Sequence, residues 1–160
     1  HFAKILGIIK QERPDILAIQ EAITQTTLDG NEIDQSKSIA EDGVGSKYYF
    51  FGSCLTMQDN FHIQKELFIH SIFNDLENWQ QGNAIFSRWP FVRLGNSGRQ
   101  GSPYNVPLYK VPYGGNRETD PRYIILTQID MGRVKIFTLA THLTTLYGER
   151  CTQEIPKKIE

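Results

Sequence analysis

The chain has 160 residues, of which 39% are hydrophobic and 22% are charged, and its net charge at pH 7 is -1. This length suits one domain, and the composition is that of an ordinary globular protein. A net charge so close to zero excludes a surface-wide field for attracting nucleic acid, so any contact with phosphate must come from a local patch.

The first elements in chain order are a helix and a buried strand. Apolar residues recur at helical spacing over residues 2–12, which predicts an amphipathic helix that ends before Pro14, because a residue preceding proline disfavours the helical region. The apolar run that follows predicts a buried strand over Asp15–Gln20. Thr24–Ser46 is polar and aperiodic, which predicts a long loop with a short helix near Ser38–Glu41.

Most of the later predicted elements are strands. Residues 61–79 fit a helix or two irregular strands equally well, Asn96–Thr119 predicts an exposed loop, and Glu149–Glu160 predicts the beginning of a helix. The predicted strands, each apolar or aromatic and bounded by turn residues, are Lys47–Gly52, Ala84–Phe86, Phe91–Leu94, Arg122–Ile129 and Val134–Ala140. Helix, strand and hairpin together indicate an α/β or α+β class.

The sequence features that usually indicate a protein's cellular compartment are uninformative in this chain. Cys54 and Cys151 form neither a disulfide framework nor a metal motif, although one bridge between them stays open. No apolar run approaches the ~18 residues of a membrane-spanning helix. The chain opens on His1 with no signal-peptide pattern and no initiator Met, which indicates a piece of a longer protein, so the compartment stays unassigned.

Two of the predicted strands lead directly into a side chain that can do chemistry. Glu21 follows "PDILAIQ" and His142 follows "VKIFTLAT". Ligand sites in α/β folds form at strand ends, where loops can shape a pocket. The other two histidines of the middle of the chain, His62 and His70, have no such context and are interpreted as structural or exposed.

Four segments in this order resemble the endonuclease/exonuclease/phosphatase superfamily, which includes pancreatic deoxyribonuclease. The segments are "PDILAIQEA", "GNAIFSRWPF", "PRYIILTQID" and "VKIFTLATHL". The resemblance implies a four-layer α/β/β/α sandwich and a phosphoesterase that depends on a divalent metal. It covers nearly the whole sequence but only the N-terminal portion of the superfamily's domain, so residues 1–160 are expected to be a single domain that is incomplete at both ends.

The resemblance also implies roles for four residues. Glu21 matches the superfamily's ligand for Mg²⁺ (with Mn²⁺ as a substitute), a hard cation that takes one or two carboxylates plus waters and substrate phosphate. His142 matches a histidine beside the scissile phosphate, and Asn83 lies near the position of its orienting partner. Arg122 matches an arginine that approaches substrate phosphate, which suits its forked guanidinium.

Each of these residues also has a purely structural interpretation. Glu21 could cap the next turn, and His142 could bond to nearby backbone. Asn83 could serve turn chemistry after Gly82. Arg122 could pair at the surface with an acidic neighbour such as Asp120.

Some of the superfamily's catalytic set has no counterpart in this sequence. An early strand ending in asparagine, a "GDFN"-like segment and a "SDH"-like segment are all missing. The sequence therefore predicts that the C-terminal part of the domain, or a partner chain, is needed to complete the site and to cover an otherwise exposed apolar sheet.

The predicted function is hydrolysis of a phosphate ester by a metal-dependent phosphoesterase or phosphodiesterase. Nucleic acid, a lipid headgroup or a small phosphate ester are all candidate substrates, and the low net charge argues against a processive DNA enzyme. The alternative from another class is a non-catalytic binding module on the same fold, which would use the Asn96–Thr119 loop to engage a partner.

Overall fold

The structure, a computed structural model, describes residues 1–27, 29–56, 78–94, 102–108 and 121–143. Predictions for His62, His70, Cys151 and Glu149–Glu160, and for most of the two intervening segments, lie outside these residues. The helices are α1 (Phe2–Glu12), α2 (Gln35–Ser38) and a π-helical turn that continues α2 (Ile39–Val44). The strands are β1 (Ile16–Thr26), β2 (Glu32–Asp34), β3 (Tyr48–Thr56), β4 (Gln80–Ser87), β5 (Phe91–Val92), β6 (Tyr104–Pro107), β7 (Tyr123–Asp130) and β8 (Lys135–Thr141).

The strands form two antiparallel sheets, and the protein is of the α+β class, as predicted. The first sheet has the order β2-β1-β4-β3. In the second sheet, β7 pairs with β8 along one edge and with the short strands β5 and β6 along the other. Both sheets are antiparallel throughout the described residues, so each strand presents alternate side chains to opposite faces.

Helices and sheets supply three layers with two cores between them. On one face of the first sheet, Phe86 and Ala84 of β4 pack with Ile9 of α1 and Ile39 of the π-helical turn. On its other face, Ile85 packs against the second sheet. A second helical layer, the fourth layer of the expected sandwich, is not among the described residues.

The outer face of the second sheet carries several exposed apolar side chains. On β8, Ala140 is buried against the first sheet, whereas Phe137 and Leu139 point the other way and are 64% and 60% exposed. Tyr104 of β6, which aligns with Leu139 across the intervening strand β7, is also largely exposed. Large apolar side chains gathered on one face of a sheet are typical of a surface that something else covers.

The predicted end of α1 is confirmed, and its cause is local. Arg13 takes the left-handed conformation (φ 49°), and its N–H donates to the Ile9 carbonyl oxygen at 2.9 Å. The helix therefore closes one residue before Pro14, which could not have continued it.

The predicted loop over Thr24–Ser46 was wrong in most of its length. It holds the end of β1, the strand β2, and the helical residues 35–44, which include the expected short helix. Side chains rather than apolar periodicity organise it: Asp34 caps α2 by accepting from Lys37 N at 2.8 Å, and Gln35 Oε1 accepts from Ile23 N at 3.0 Å. The predicted loop over Asn96–Thr119 likewise contains β6, an edge strand whose end can accommodate Pro107.

Candidate active site

Glu21 lies within a long strand and not at its end, which corrects the boundary predicted from the sequence. Strand β1 continues to Thr26, but its pairing with β4 shifts at this point. Ile19 pairs with Ala84 and Ala22 pairs with Gly82, so two β1 residues oppose the single residue Asn83. This is a β-bulge, a feature that re-aims side chains and is common beside active sites.

The bulge decides which way the carboxylate points. Ile19 faces the helices, so strict alternation would send Glu21 to the same apolar layer. The extra residue resets the phase: Ala22 takes the place in the helix-side core, and Glu21 turns towards the second sheet. Its backbone holds the left-handed conformation (φ 57°), which costs a non-glycine residue about 1–2 kcal/mol.

His142 and Arg122 come from adjacent strand ends of the second sheet. Arg122 immediately precedes β7 and His142 immediately follows β8, and the two strands are paired up to Ile124 and Thr141. Arg122 is only 8% exposed. A guanidinium stays charged at this depth, so its burial costs free energy unless well-placed partners compensate, and a ligand anion can be one of them.

The side chains from the two sheets meet at the imidazole. Glu21 Oε1 lies 3.9 Å from His142 Nδ1, and Arg122 Nη1 lies 3.4 Å from the same nitrogen. Arginine only donates, so the Nδ1 that faces it accepts, which leaves the proton of the neutral ring on Nε2. The Glu21 contact would favour a proton on Nδ1, but at 3.9 Å it is beyond hydrogen-bonding distance, so of these two contacts the one with Arg122 decides, and it favours the Nε2–H tautomer.

Asn83 reaches the second sheet by a different contact from the one predicted. Its buried amide donates through Nδ2 to the Tyr123 carbonyl oxygen at 3.4 Å, where we had expected it to orient the imidazole. Thr141 Oγ1 donates to the same carbonyl at 3.0 Å. Asn83 thus ties the floor of the site to the residue that follows Arg122.

Gly82 allows strands β3 and β4 to approach each other closely. A Cβ at this position would lie 2.2 Å from the Gly52 carbonyl oxygen, on the neighbouring strand β3. Just beyond it, the pairing of β3 with β4 shifts between Ser53 and Leu55, so β3 is bulged as well. Both neighbours of β4 therefore carry an extra residue at this level, beside the same short stretch of backbone.

All four residues predicted for the site line a single cleft. Its volume, with the open mouth included, is about 410 Å³. The lining residues are Glu21, Cys54, Leu55, Gln81, Gly82, Asn83, Pro121, Arg122, Tyr123 and His142. Cys54, Leu55 and Gln81 were missed from the sequence, because the bulge in β3 leaves no local signature and strand alternation alone does not indicate which side chains reach the cleft.

Cys54 is a free thiol at the cleft wall. Burial raises the pKa of this thiol, and the Asn83 backbone amide and the Arg122 charge only partly offset the effect. Its Sγ donates to the Gly52 carbonyl oxygen at 3.5 Å. A protonated thiol of this kind is a weak nucleophile at neutral pH, so Cys54 shapes the cleft wall and is a poor candidate for covalent chemistry.

The donor chemistry of the cleft fits one hard cation held by one carboxylate. The Glu21 side chain is 63% exposed, so it can bind an ion that keeps several waters. No group of three or more His, Cys, Asp and Glu side chains is arranged for metal binding within the described ranges. A closed zinc-type site therefore has no support there, whereas a Mg²⁺ ion shared between a carboxylate, water and substrate phosphate needs no more than Glu21 from this part of the chain.

Comparison with known proteins decides the family. The family model of the endonuclease/exonuclease/phosphatase family matches residues 1–154. The chain belongs to the endonuclease/exonuclease/phosphatase family. This family consists in general of metal-dependent phosphoesterases and nucleases, and its members typically use divalent metals.

The fold also agrees with that of a solved member of the family. An endonuclease/exonuclease/phosphatase family protein from Leptotrichia buccalis C-1013-b matches with a TM-score of 0.59 at 11% sequence identity. The match covers 99% of this chain and 54% of the other, so the chain spans about half the length of its structural relative. A search of curated proteins found no match. No helix in the described part of this family member is long and apolar enough to cross a membrane.

Proposed function

We propose that the protein is a divalent-metal-dependent phosphoesterase that hydrolyses a phosphate ester at the cleft between its two sheets. The observation that carries the proposal is the meeting of Glu21 with His142 and Arg122. Arg122 and His142 lie 101 and 121 positions after Glu21 in the sequence. In the structure, however, Nδ1 of the imidazole lies 3.9 Å from the Glu21 carboxylate and 3.4 Å from the Arg122 guanidinium. The cleft thus combines a carboxylate that can bind a metal cation, a guanidinium that can bind an anion and an imidazole that can donate a proton. This combination suits the binding of a phosphoryl group.

Arg122 is the group proposed to bind substrate. Its planar fork can take two non-bridging phosphate oxygens at once, and its burial fixes the direction from which it donates. Asn83 holds the backbone at the next residue through the Tyr123 carbonyl, so in this proposal it keeps Arg122 in place.

His142 is proposed to act through Nε2. Because Nδ1 accepts from Arg122, the neutral ring carries its proton on Nε2, where it can donate to a phosphate oxygen. The ring is 24% exposed at its side chain, which leaves it accessible from the cleft. Glu21 would hold a divalent cation (Mg²⁺, or Mn²⁺ in its place), and the chemistry that ion supplies is Lewis-acid stabilisation of charge on the phosphoryl oxygens.

We also propose that residues 1–160 form part of one domain whose remainder completes the site. The reaction needs a group that activates the attacking water, and the family resemblance assigns that task to segments with no counterpart in this sequence. The outer face of the second sheet, with Phe137 and Leu139 exposed, is proposed to be covered by the C-terminal part of the domain or by a partner chain.

The activity test is an assay of the purified full-length protein with Mg²⁺ against single- and double-stranded nucleic acid, bis-p-nitrophenyl phosphate and phospholipid headgroups. Glu21→Gln and His142→Ala should each lower kcat by at least about 100-fold, since each removes one group that stabilises the transition state. The matched control is Glu12→Gln, an exposed glutamate on α1, which should retain full activity. If both site variants retain every activity of the wild type, the assignment of the site is wrong.

The substrate panel also tests the class of ester. Among the described residues that line the cleft, Arg122 is the one with a fixed positive charge, and no long Lys/Arg stripe exists in the sequence. A small or headgroup-sized ester therefore fits this part of the cleft at least as well as a polymer. The alternative of a non-catalytic binding module predicts no Mg²⁺ binding at Glu21, which calorimetry on the full-length protein measures directly.

A further inference from the structure

The candidate site is divided between two sheets, so its geometry depends on how the sheets are held together at that point. Glu21 and Asn83 come from the first sheet, whereas Arg122 and His142 come from the second. The apolar core between the sheets is centred on other residues, including Ile85, Ile125 and Ala140. Apolar contacts are not directional, so they do not fix the separation of two polar side chains at the rim of a cleft.

Gln20 makes a direct hydrogen bond between the two sheets beside the site. Its Nε2 donates to the Thr141 carbonyl oxygen at 2.7 Å, across 121 positions of sequence. Gln20 directly precedes Glu21, and Thr141 directly precedes His142. The bond therefore joins the two backbone positions next to the carboxylate and the imidazole.

The β1 bulge places Gln20 and Glu21 on the same side of the strand. Gln20 and Glu21 together oppose Asn83, so both side chains can turn towards the second sheet where an unbulged strand would send only one of them. Two other described hydrogen bonds join the sheets at this level: Asn83 Nδ2 donates to the Tyr123 carbonyl oxygen at 3.4 Å, and Asn105 Nδ2 donates to the Ser53 carbonyl oxygen at 2.9 Å. The Gln20 bond is the shortest of the three, and it is the one that joins the residues next to Glu21 and His142.

We propose that Gln20 is a positioning residue for the phosphoester reaction: it sets the separation between Glu21 and His142 by fastening the β1 bulge to the end of β8. This inference rests on the proposed function and adds to it a residue that does not itself touch substrate. Gln20 is exposed, and a single exposed hydrogen bond contributes little to global stability. Its loss should therefore appear in the geometry of the site and not in the folding of the protein.

The first test compares Gln20→Met with Gln25→Met in the full-length protein. Methionine keeps a side chain of similar length and removes the N–H donor. Gln25 lies on the same strand, and its side chain makes no hydrogen bond to any of the described residues, so it serves as the matched control. Gln20→Met should lower kcat by about 10- to 100-fold, because a displacement of about 1 Å at a reacting centre has that effect. KM, Mg²⁺ affinity and the urea midpoint should change little, and Gln25→Met should behave as the wild type.

The second test is a double-mutant cycle between Gln20→Met and His142→Ala. If Gln20 acts by positioning the imidazole, removing the imidazole first leaves it nothing to position, and Gln20→Met should then change kcat by less than about threefold. Equal effects in the two backgrounds would overturn the proposal, as would an unchanged kcat in the single variant or a loss of activity that simply follows a loss of stability.

The outcomes for the two proposals are distinguishable. A wild-type protein that binds no Mg²⁺ and hydrolyses none of the probe esters contradicts the proposed function, and with it the role of Gln20. An active wild type with a fully active Gln20→Met variant contradicts only the positioning role. Hydrogen exchange of the backbone amides around residues 139–143, measured without metal or substrate, should be faster in Gln20→Met; unchanged exchange there would show that the link does not hold the end of β8.

Discussion

Replacing Gly82 by alanine tests whether the floor of the cleft requires two strands to approach as closely as the structure shows. A Cβ at Gly82 would lie 2.2 Å from the Gly52 carbonyl oxygen and 3.0 Å from the Phe51 ring, and side-chain Cβ atoms essentially never come within 3.0 Å of such a neighbour. To lengthen the distance between this Cβ and the Gly52 oxygen from 2.2 Å to 3.0 Å, the backbones of β3 and β4 must move apart by at least about 0.8 Å.

This separation is large on the scale of the sheet's hydrogen bonds. A ladder bond of about 2.9 Å would lengthen to about 3.7 Å, beyond the range in which it contributes, and each buried group left without a partner costs about 1–3 kcal/mol. With one donor and one acceptor affected, Gly82→Ala should lower the free energy of unfolding by about 2–6 kcal/mol. The displacement also moves Asn83, so activity should fall in the fraction that remains folded.

Gly7→Ala provides the matched control, because it is the same substitution in a different environment. Gly7 lies on the exposed side of α1, and a Cβ there meets no atom within 4 Å. Alanine should stabilise this helix by about 0.5–1 kcal/mol. Urea denaturation of the full-length protein should therefore move the two midpoints in opposite directions. A Gly82→Ala protein as stable as the wild type would refute the close approach of β3 and β4.

Two further predictions concern strain and pH. Glu21→Gly should raise the free energy of unfolding by up to about 1 kcal/mol, because glycine adopts the left-handed conformation without strain, and it should abolish Mg²⁺ binding. Arg13→Gly, at the other left-handed non-glycine position of the described residues, should give a similar gain in stability and keep full activity. Urea titrations measure the stability of both variants, and calorimetry measures their Mg²⁺ binding. Loss of stability in Glu21→Gly would argue against the bulge. Burial raises the pKa of Cys54, so above the usual pKa of an unfolded cysteine, about 8.5, the unfolded chain binds fewer protons than the folded one. Stability should therefore fall as pH rises through that value, and Cys54→Ala should fall less steeply; equal slopes would contradict a buried thiol.

The sequence predicted the elements that are defined by apolar pattern. The end of α1 before Pro14 and the two strong strands β7 and β8 follow from periodicity and turn residues, and the structure places them within one or two residues of expectation. Polar segments were predicted less well, since Thr24–Ser46 is organised by the Asp34 cap and by side-chain bonds to backbone, which a periodicity argument does not detect.

For the candidate site, the sequence predicted identities but not geometry. Glu21 and His142 were singled out as residues at strand ends, and the structure does bring them together, but Glu21 gets there through a bulge inside a strand. A bulge is a change of register between two strands, so it depends on the partner strand and leaves no mark in the sequence of β1 alone. For the same reason Cys54 and the contact of Asn83 with the Tyr123 carbonyl were not foreseen.

The most direct test of the central claim is a crystal structure of the full-length protein grown with Mn²⁺ and inorganic phosphate, with anomalous data collected at the manganese edge. We predict one anomalous peak about 2.1 Å from a Glu21 carboxylate oxygen, and a phosphate that contacts both Arg122 and His142. A manganese site elsewhere in the molecule, or a cleft that holds phosphate while Glu21 binds no ion, would contradict the account.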